Sequence, residues 1–291
     1  MVNKTIKQVK NYHHDIISME VNMKVDTHIH SLYSDGIYTI EEILEMLLKR
    51  HVEVFSITDH DTVDGIKEVK RIGYTPMTFV SGIEFTCKEM QFNSIKKAFS
   101  IHLLGYGFDE DNAQLLQALK KRKENVENAY DTLCRHLSML NYPIKKEEIP
   151  ISCGNVLQLR DVTAHVKQKY PMVSEDILTM IEHASSVFDN INISVEDAIQ
   201  LIHNAGGKAI WAHPFCVYKQ FVKTNITEEE VVAILELLKN TGLDGMEAYY
   251  HAFSKERQNW LYALAKKNNM IYTAGSDFHG SKGRDFMGIE L

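Results

Sequence analysis

The sequence predicts an α/β fold of βα units interrupted by a helical insertion, and three features of the residue pattern predict it. Residues 24–108 alternate short β-type stretches with amphipathic helical ones, the rhythm of parallel βα units. Residues 109–193 break that rhythm and hold no convincing strand. From Ser194 onward the alternation resumes.

Taken in order, residues 24–29 read as the first strand. Thr39 and Glu42 stand at capping-box spacing and open a helix that runs to His51. Residues 52–58 are rich in β-formers and end in the polar cluster Asp59-His60-Asp61. A helix over 63–72 and strands over 78–85 and 98–106 complete this half. Within the insertion, Leu, Ala, Val and Tyr recur at helical spacing over 115–140, which predicts one long helix. Two shorter helices are expected at 155–170 and 174–185. Ser194 with Asp197 caps the next helix, which stops at Gly206-Gly207. A strand over 208–211 leads into His213-Pro214. Helix 227–240, strand 245–249, helix 254–268 and strand 270–274 follow. The expected organisation is a core of residues 24–108 and 194–291, a helical insertion at 109–193, and a polar leader over 1–23.

Composition narrows the function classes. With 291 residues, 44% apolar and 24% charged, the chain is an ordinary globular protein of a length that suits one α/β barrel or a core plus a subdomain. Its formal charge of −7, from 32 basic and 39 acidic residues, lacks the basic excess of proteins that wrap nucleic acid, so stable duplex binding is not expected. Cys87, Cys134, Cys153 and Cys216 have neither CxxC nor framework spacing and read as reduced thiols. No apolar run approaches the ~18 residues of a membrane span. The leader, with Lys4, Lys7, Lys10, His13 and His14, lacks a secretory core. A cytoplasmic protein without a membrane partner is expected.

Chemistry-bearing residues fall at or near the strands and their C-terminal ends. His28 and His30 sit two apart at the end of the first strand, where alternate side chains share a face and both imidazoles can reach one ion. Asp35 follows in the next loop, and His60 follows the second strand. Glu84 and His102 lie on the third and fourth strands. His213 follows strand 208–211, and Asp277 and His279 follow the last. A lone strand histidine is more often packed than ligating, but six histidines and three carboxylates recurring in this pattern are costly to bury without partners. Metal ions remove that conflict. His51, His136, His183 and His203 fall on helices without convergent partners.

The segments Asp26-Thr-His28-Ile-His30, Ser34-Asp35-Gly36, Thr58-Asp59-His60-Asp61, Gly82-Ile-Glu84, Ile101-His102, Ala212-His213-Pro214 and Gly275-Ser-Asp277-Phe-His279 together resemble the polymerase-and-histidinol-phosphatase (PHP) family. Within it, the chain looks most like the bacterial nucleotide phosphoesterases with a helical insertion before the Ala-His-Pro motif. The resemblance implies a distorted (β/α)7 barrel holding three divalent ions, Mn2+, Fe2+ or Zn2+. It assigns His28, His30, Glu84 and Asp277 to one ion and Asp35, His60 and His279 to a second. Glu84 bridges to a third, which His102 and His213 complete. Asp26 and Asp59 then orient ligand histidines from behind.

The implied activity is metal-dependent hydrolysis of a 3′,5′-bisphosphonucleotide or a short 5′-phosphorylated oligonucleotide, with water activated between the ions. Three divalent ions outweigh the carboxylates Asp35, Glu84 and Asp277, so the site stays locally positive in an acidic chain. By the same resemblance Arg160 and His165, in the insertion, contact substrate phosphate, with Arg122 a weaker candidate. Asn125 stands where a second basic residue is usual, and residues 185–193 lack the usual Gly- and Lys-rich character; both depart from the nucleotide-specific pattern. Glu247 and His251 either shape the pocket or serve the fold. The alternatives are a histidinol-phosphatase-like enzyme for small phosphomonoesters, a non-catalytic metal-stabilised PHP module, and a hydrolase of amide or amidine bonds.

Overall fold

The structure is a computed structural model, and it describes residues 23–219, 222–280 and 287–290. The expected leader therefore lies outside the described residues, apart from Met23.

The chain enters through β1 (Lys24–Asp26) and reaches α1 (Ile40–Lys49). The expected capping box starts this helix: Thr39 Oγ1 accepts the Glu42 amide at 3.2 Å, and Glu42 Oε2 accepts the Thr39 amide at 2.8 Å. Ile40, Ile43, Leu44 and Leu47 line its buried face. Next come β2 (Val54–Phe55), α2 (Asp64–Ile72), β3 (Thr78–Phe79) and β4 (Gly82–Thr86). A hairpin of β5 (Met90–Phe92) and β6 (Lys97–Phe99) precedes β7 (His102–Tyr106). The insertion comprises α3 (Ala113–Met139), a 3-10 turn at Lys146–Glu148, α4 (Leu159–Lys169), α5 (Glu175–His183) and α6 (Ser185–Ile191). The alternation returns with α7 (Val195–Asn204), capped by Ser194 as expected, and β8 (Lys208–Trp211). A second hairpin, β9 (Cys216–Lys219) and β10 (Val222–Asn225), is followed by α8 (Glu228–Asn240) and β11 (Gly245–Tyr250). The chain closes through α9 (Lys255–Lys267), β12 (Ile271–Gly275) and β13 (Ile289–Glu290).

Two mixed sheets carry the core, one ordered β12-β11-β8-β7-β4 and the other β13-β1-β2-β3. The α/β class holds, but the all-parallel arrangement does not. β7 runs antiparallel to both β4 and β8. Residues 87–101 carry a hairpin rather than a crossover helix, so the chain returns beside β4 in the opposite sense. The sheets meet at two isolated parallel bridges, Ile29↔Phe278 and His60↔Glu84. The strands form no continuous closed ring among the described residues.

The apolar packing divides similarly. Phe85, Leu103, Trp211, Met246, Ile202, Ile234 and Leu261 belong to a cluster between the larger sheet and α7–α9. Ile29, Ile43, Leu47, Phe55 and Phe278 form a second cluster beneath α1. The insertion has its own core of Tyr130, Leu133, Leu137, Val162, Val166, Leu178, Ile181 and Phe188. Each fully buried side chain of this kind contributes ~1.5–3 kcal/mol. α3 joins two of these cores, with Leu115 and Leu119 in the first and Leu133 and Leu137 in the last.

Candidate metal centre

Strand pleating places a carboxylate at the centre of the site. Ile83 and Phe85 point into the main core, so Glu84, between them on β4, points to the opposite face, where it is 1% exposed. Its Oε2 lies 3.2 Å from His28 Nε2, 3.1 Å from His30 Nε2 and 3.4 Å from His60 Nε2. Its Oε1 lies 3.0 Å from His102 Nδ1 and 3.2 Å from His213 Nε2. Asp277 Oδ1 is 3.5 Å from His28 Nε2 and 3.4 Å from His30 Nε2. Asp35 Oδ1 faces His279 Nε2 at 3.1 Å. The nine sequence-predicted residues are thus brought together. Three groups have spacing that could hold an ion: His30, Asp35, His60 and His279; His28, His30, Glu84 and Asp277; and His60, Glu84 and His102.

The donor chemistry fits divalent ions. His28 Nε2, His30 Nε2, Asp35 Oδ1 and Glu84 Oε2 are buried without a hydrogen-bond partner, although neighbouring ligand atoms stand 3.1–3.6 Å away. The distances are short, yet hydrogen-bond geometry is missing, as expected of lone pairs aimed at common points. Four such atoms in one place are costly unless something satisfies them. Mixed imidazole and carboxylate ligands suit Zn2+, Mn2+ or Fe2+.

The sequence from residue 26 to residue 204 matches the family model described as the PHP domain. The chain belongs to the PHP domain family. His213, Asp277 and His279 lie beyond the matched segment and are joined to the site by the fold. The chain is 27% identical over 270 residues to a 5′-3′ exoribonuclease of Haemophilus influenzae, covering 88% of this chain and 90% of that protein. It is 25% identical over 270 residues to a phosphoribosyl 1,2-cyclic phosphate 1,2-diphosphodiesterase of Eggerthella lenta, covering 89% of this chain and 95% of that one. A solved amidohydrolase structure from Chromobacterium violaceum, with bound sulfate and no metal, superposes with a TM-score of 0.65 at 22% identity, covering 92% of this chain and 91% of that one, and shows a shared fold. The expected class, a phosphoester hydrolase, agrees with the named activities of both relatives.

Electrostatics follow from the crowding of this PHP site. Burial alone pulls His28 down, but the adjacent Glu84 and Glu247 hold it well above the usual imidazole range. Burial likewise lowers His30, while the carboxylates of Asp277 and Glu84 beside it outweigh that and raise it to about 10. Burial takes His60 down to about 3. Asp35 resists its own burial, because His60 and His279 beside it hold its carboxyl well below the usual range. Without ions, protons on His28 and His30 offset the carboxylates.

Asp26 and Asp59, expected behind the ligand rings, hold the main chain of the ligand loops, and Asp59 also reaches toward His30 through the Ser34 hydroxyl, which stands 3.5 Å from His30 Nδ1. Asp59 accepts the Ser31 amide and hydroxyl, each at 2.7 Å, and the Ser34 hydroxyl at 2.6 Å. That shapes the turn leading to Asp35. Asp26 accepts the amides of Ser276 at 3.0 Å, Gly288 at 2.9 Å and His28 at 3.3 Å. A carboxylate that orients a ligand ring directly is Glu247. Fully buried on β11, it meets His28 Nδ1 at 2.9 Å and accepts the His213 amide at 2.8 Å. This leaves His28 Nε2 for the centre. The available signal was a lone carboxylate inside the apolar strand Gly245-Met-Glu247-Ala-Tyr-Tyr. Sequence reasoning missed Tyr218, whose ring stacks on His102 at 4.3 Å and 10°. Its hairpin matches no ligand motif. His251 is exposed at the end of β11. His203 pairs with Asp244 at 2.6 Å, away from the centre.

The backbone is strained at three motif positions: Asp61 (φ 54°), His213 (φ 32°) and Asp277 (φ 55°) lie in the left-handed region. Such non-glycine residues are uncommon and cost of order 1–3 kcal/mol each, and they cluster at functional sites.

The insertion touches this site at two points. Arg122 on α3 pairs with Asp61 Oδ2 at 2.9 Å and donates to Asn192 Oδ1 at 2.8 Å, so this substrate-contact candidate is engaged within the protein. Asn125 and Arg122 line a cavity of about 180 Å³ with Phe85, on the face of β4 opposite Glu84. At the second point, Gly154 (φ 64°) packs on the Asp35 loop so closely that an added Cβ would stand 2.3 Å from Ser34 O and 2.7 Å from Asp35 Cα. Cys153 Sγ donates to Asp35 O at 2.9 Å. Buried Asp161 on α4 braces this segment by accepting the amides of Ser152 at 3.2 Å and Gln158 at 3.0 Å. Arg160 and His165 sit on the same helix, Arg160 exposed and His165 half-buried.

Proposed function

We propose that this PHP protein hydrolyses phosphoesters of nucleotides or short 5′-phosphorylated oligonucleotides, using divalent ions held by His28, His30, Asp35, His60, Glu84, His102, His213, Asp277 and His279. The observation that carries the reading is the convergence of buried, unpaired donor atoms around Glu84. His28, His30, Glu84 and Asp277 hold one ion, Asp35, His60 and His279 a second, and Glu84 with His102 and His213 a third. On this reading the two sheets, bridged at Ile29–Phe278 and His60–Glu84, are the halves of a distorted (β/α)7 barrel.

When bound, divalent ions supply Lewis-acid activation of water and neutralise phosphate charge. The protein's own contribution is orientation and exclusion. Glu247 fixes which nitrogen His28 presents, Asp59 holds the turn that presents Asp35, and buried walls keep the ligands from bulk water. No serine or cysteine nucleophile is required. Cys153 is engaged with the Asp35 carbonyl, and burial pushes the Cys216 thiol up, away from the reactive thiolate.

Residues 109–193 form a lid subdomain beside the core of residues 24–108 and 194–291. Its seat on the Asp35 loop supports a substrate larger than a small phosphomonoester, with Arg160 and His165 of α4 reaching a substrate phosphate. Assay of the purified protein with Mn2+ against a phosphoester panel tests the reading. Release of phosphate or nucleotide from bisphosphonucleotides and 5′-phosphorylated oligonucleotides is expected. Turnover of small phosphomonoesters alone would contradict the substrate class.

A further inference from the structure

The two carboxylate oxygens of Asp277 face different neighbours. Oδ1 looks toward His28 Nε2 at 3.5 Å and His30 Nε2 at 3.4 Å, inside one of the ion-sized groups. Oδ2 accepts the Tyr250 hydroxyl at 3.0 Å. That hydroxyl in turn accepts from Lys223 Nζ at 3.2 Å, and the ammonium stands 5.3 Å from the centre of the Tyr250 ring. Tyr250 is 3% exposed and ends β11, paired in register with Gly275 on β12. Phe253 holds its ring edge-on at 4.8 Å, and Gln258 Nε2 ties its carbonyl at 2.9 Å. Lys223 comes from β10, in a hairpin that contains no ligand motif.

The direction of this chain is set by chemistry. An ammonium can only donate, so it takes an acceptor lone pair of the phenol. The single phenolic hydrogen is then directed to Asp277, and each bond polarises the next. We propose that Lys223 and Tyr250 are positioning residues: they engage Oδ2 and so hold Asp277 with Oδ1 toward the ion site. Ion affinity at the group His28, His30, Glu84 and Asp277 then depends on a surface lysine that touches no ligand. This inference rests on the ligand assignment made above.

Two effects of Lys223 have opposite signs, which makes the proposal decidable. Acting by its charge alone, the ammonium repels divalent ions, and its loss tightens their binding. Acting through orientation, its loss weakens binding. The test is titration of the metal-free full-length protein with Mn2+ against a competing chelator, with thermal unfolding of the same metal-free samples. Tyr250→Phe is expected to weaken at least one ion by 10–100-fold, the usual cost of removing a group behind a ligand, without lowering the unfolding temperature. Lys223→Met should move in the same direction, and Lys223→Arg should stay near the parent. Lys223 is exposed, so its variants carry the test if Tyr250→Phe fails to fold. Unchanged affinity in Tyr250→Phe while Asp277→Asn loses an ion overturns the positioning role and leaves the ligand assignment standing. Tighter binding by Lys223→Met also overturns it. Unchanged binding in Asp277→Asn overturns the ligand assignment, and this inference with it.

Discussion

His28 and His30 carry the local chemistry of the site, because their protonation competes with ion binding. Both are held above the usual imidazole range in the metal-free protein, His30 at about 10, so both are protonated at neutral pH. Ligand histidines must be neutral, so ion uptake releases protons and affinity rises with pH, by about tenfold per unit for each proton released. The sign is fixed: affinity falls as pH drops, and the gain levels off only as pH approaches the His30 value. Mn2+ titration in weakly buffered solution with a pH indicator should show acidification at pH 7; uptake without proton release would contradict the assignment. Glu247→Gln should lower ion affinity by roughly 10–100-fold, since the amide accepts poorly from His28 Nδ1 and can present a donor instead. Unaltered affinity there would make Glu247 a purely structural residue. Arg160→Ala should raise KM for phosphorylated nucleotides about tenfold or more, from the loss of a charged hydrogen bond. It should leave a small chromogenic phosphodiester unaffected; equal loss on both substrates would indicate a folding role.

At the scale of elements, the insertion is coupled to the site through the segment around Gly154, which includes the Cys153–Asp35 hydrogen bond, and through the Arg122–Asp61 ion pair. Gly154 has a positive φ, and a side chain there meets the backbone of Ser34 and Asp35. Gly154→Val should therefore unseat the segment from the Asp35 loop. The expected outcome is weaker ion binding with the insertion's own core intact, read by chelator competition beside circular dichroism. Parent-like ion affinity would show that Asp35 does not depend on the insertion. Much at this scale was legible beforehand. The capping box at Thr39, the Ser194 cap and the long helix α3 follow from local spacing, which a single sequence displays. What was missed is non-local. The hairpins β5–β6 and β9–β10 have strands of three or four residues, too short for a periodic signal. The antiparallel return of β7 depends on pairing across the sheet, which no local pattern encodes.

For the whole molecule, ligands separated by up to 251 positions, from His28 to His279, converge because two sheets meet along β1–β12 contacts and at the His60–Glu84 bridge. The ligand residues were legible because histidines at strand ends are chemically conspicuous. Their supports were less so: Glu247 stood out only as a strand-end carboxylate with a pocket or a structural role open, while Tyr250 and Tyr218 carry ordinary residue types, and only the fold brings them to the site. No helix among the described residues is long and apolar enough to cross a membrane. The donors around Glu84 are proposed to hold divalent ions. Elemental analysis of full-length protein purified without chelator, paired with anomalous diffraction from the same preparation, tests it most directly. More than two transition-metal ions per chain are expected, with peaks inside the groups His30, Asp35, His60 and His279 and His28, His30, Glu84 and Asp277, and a third beside Glu84 and His102, where the proposed ligand His213 completes the set. One ion or none, with all nine side chains ordered as described, would contradict it.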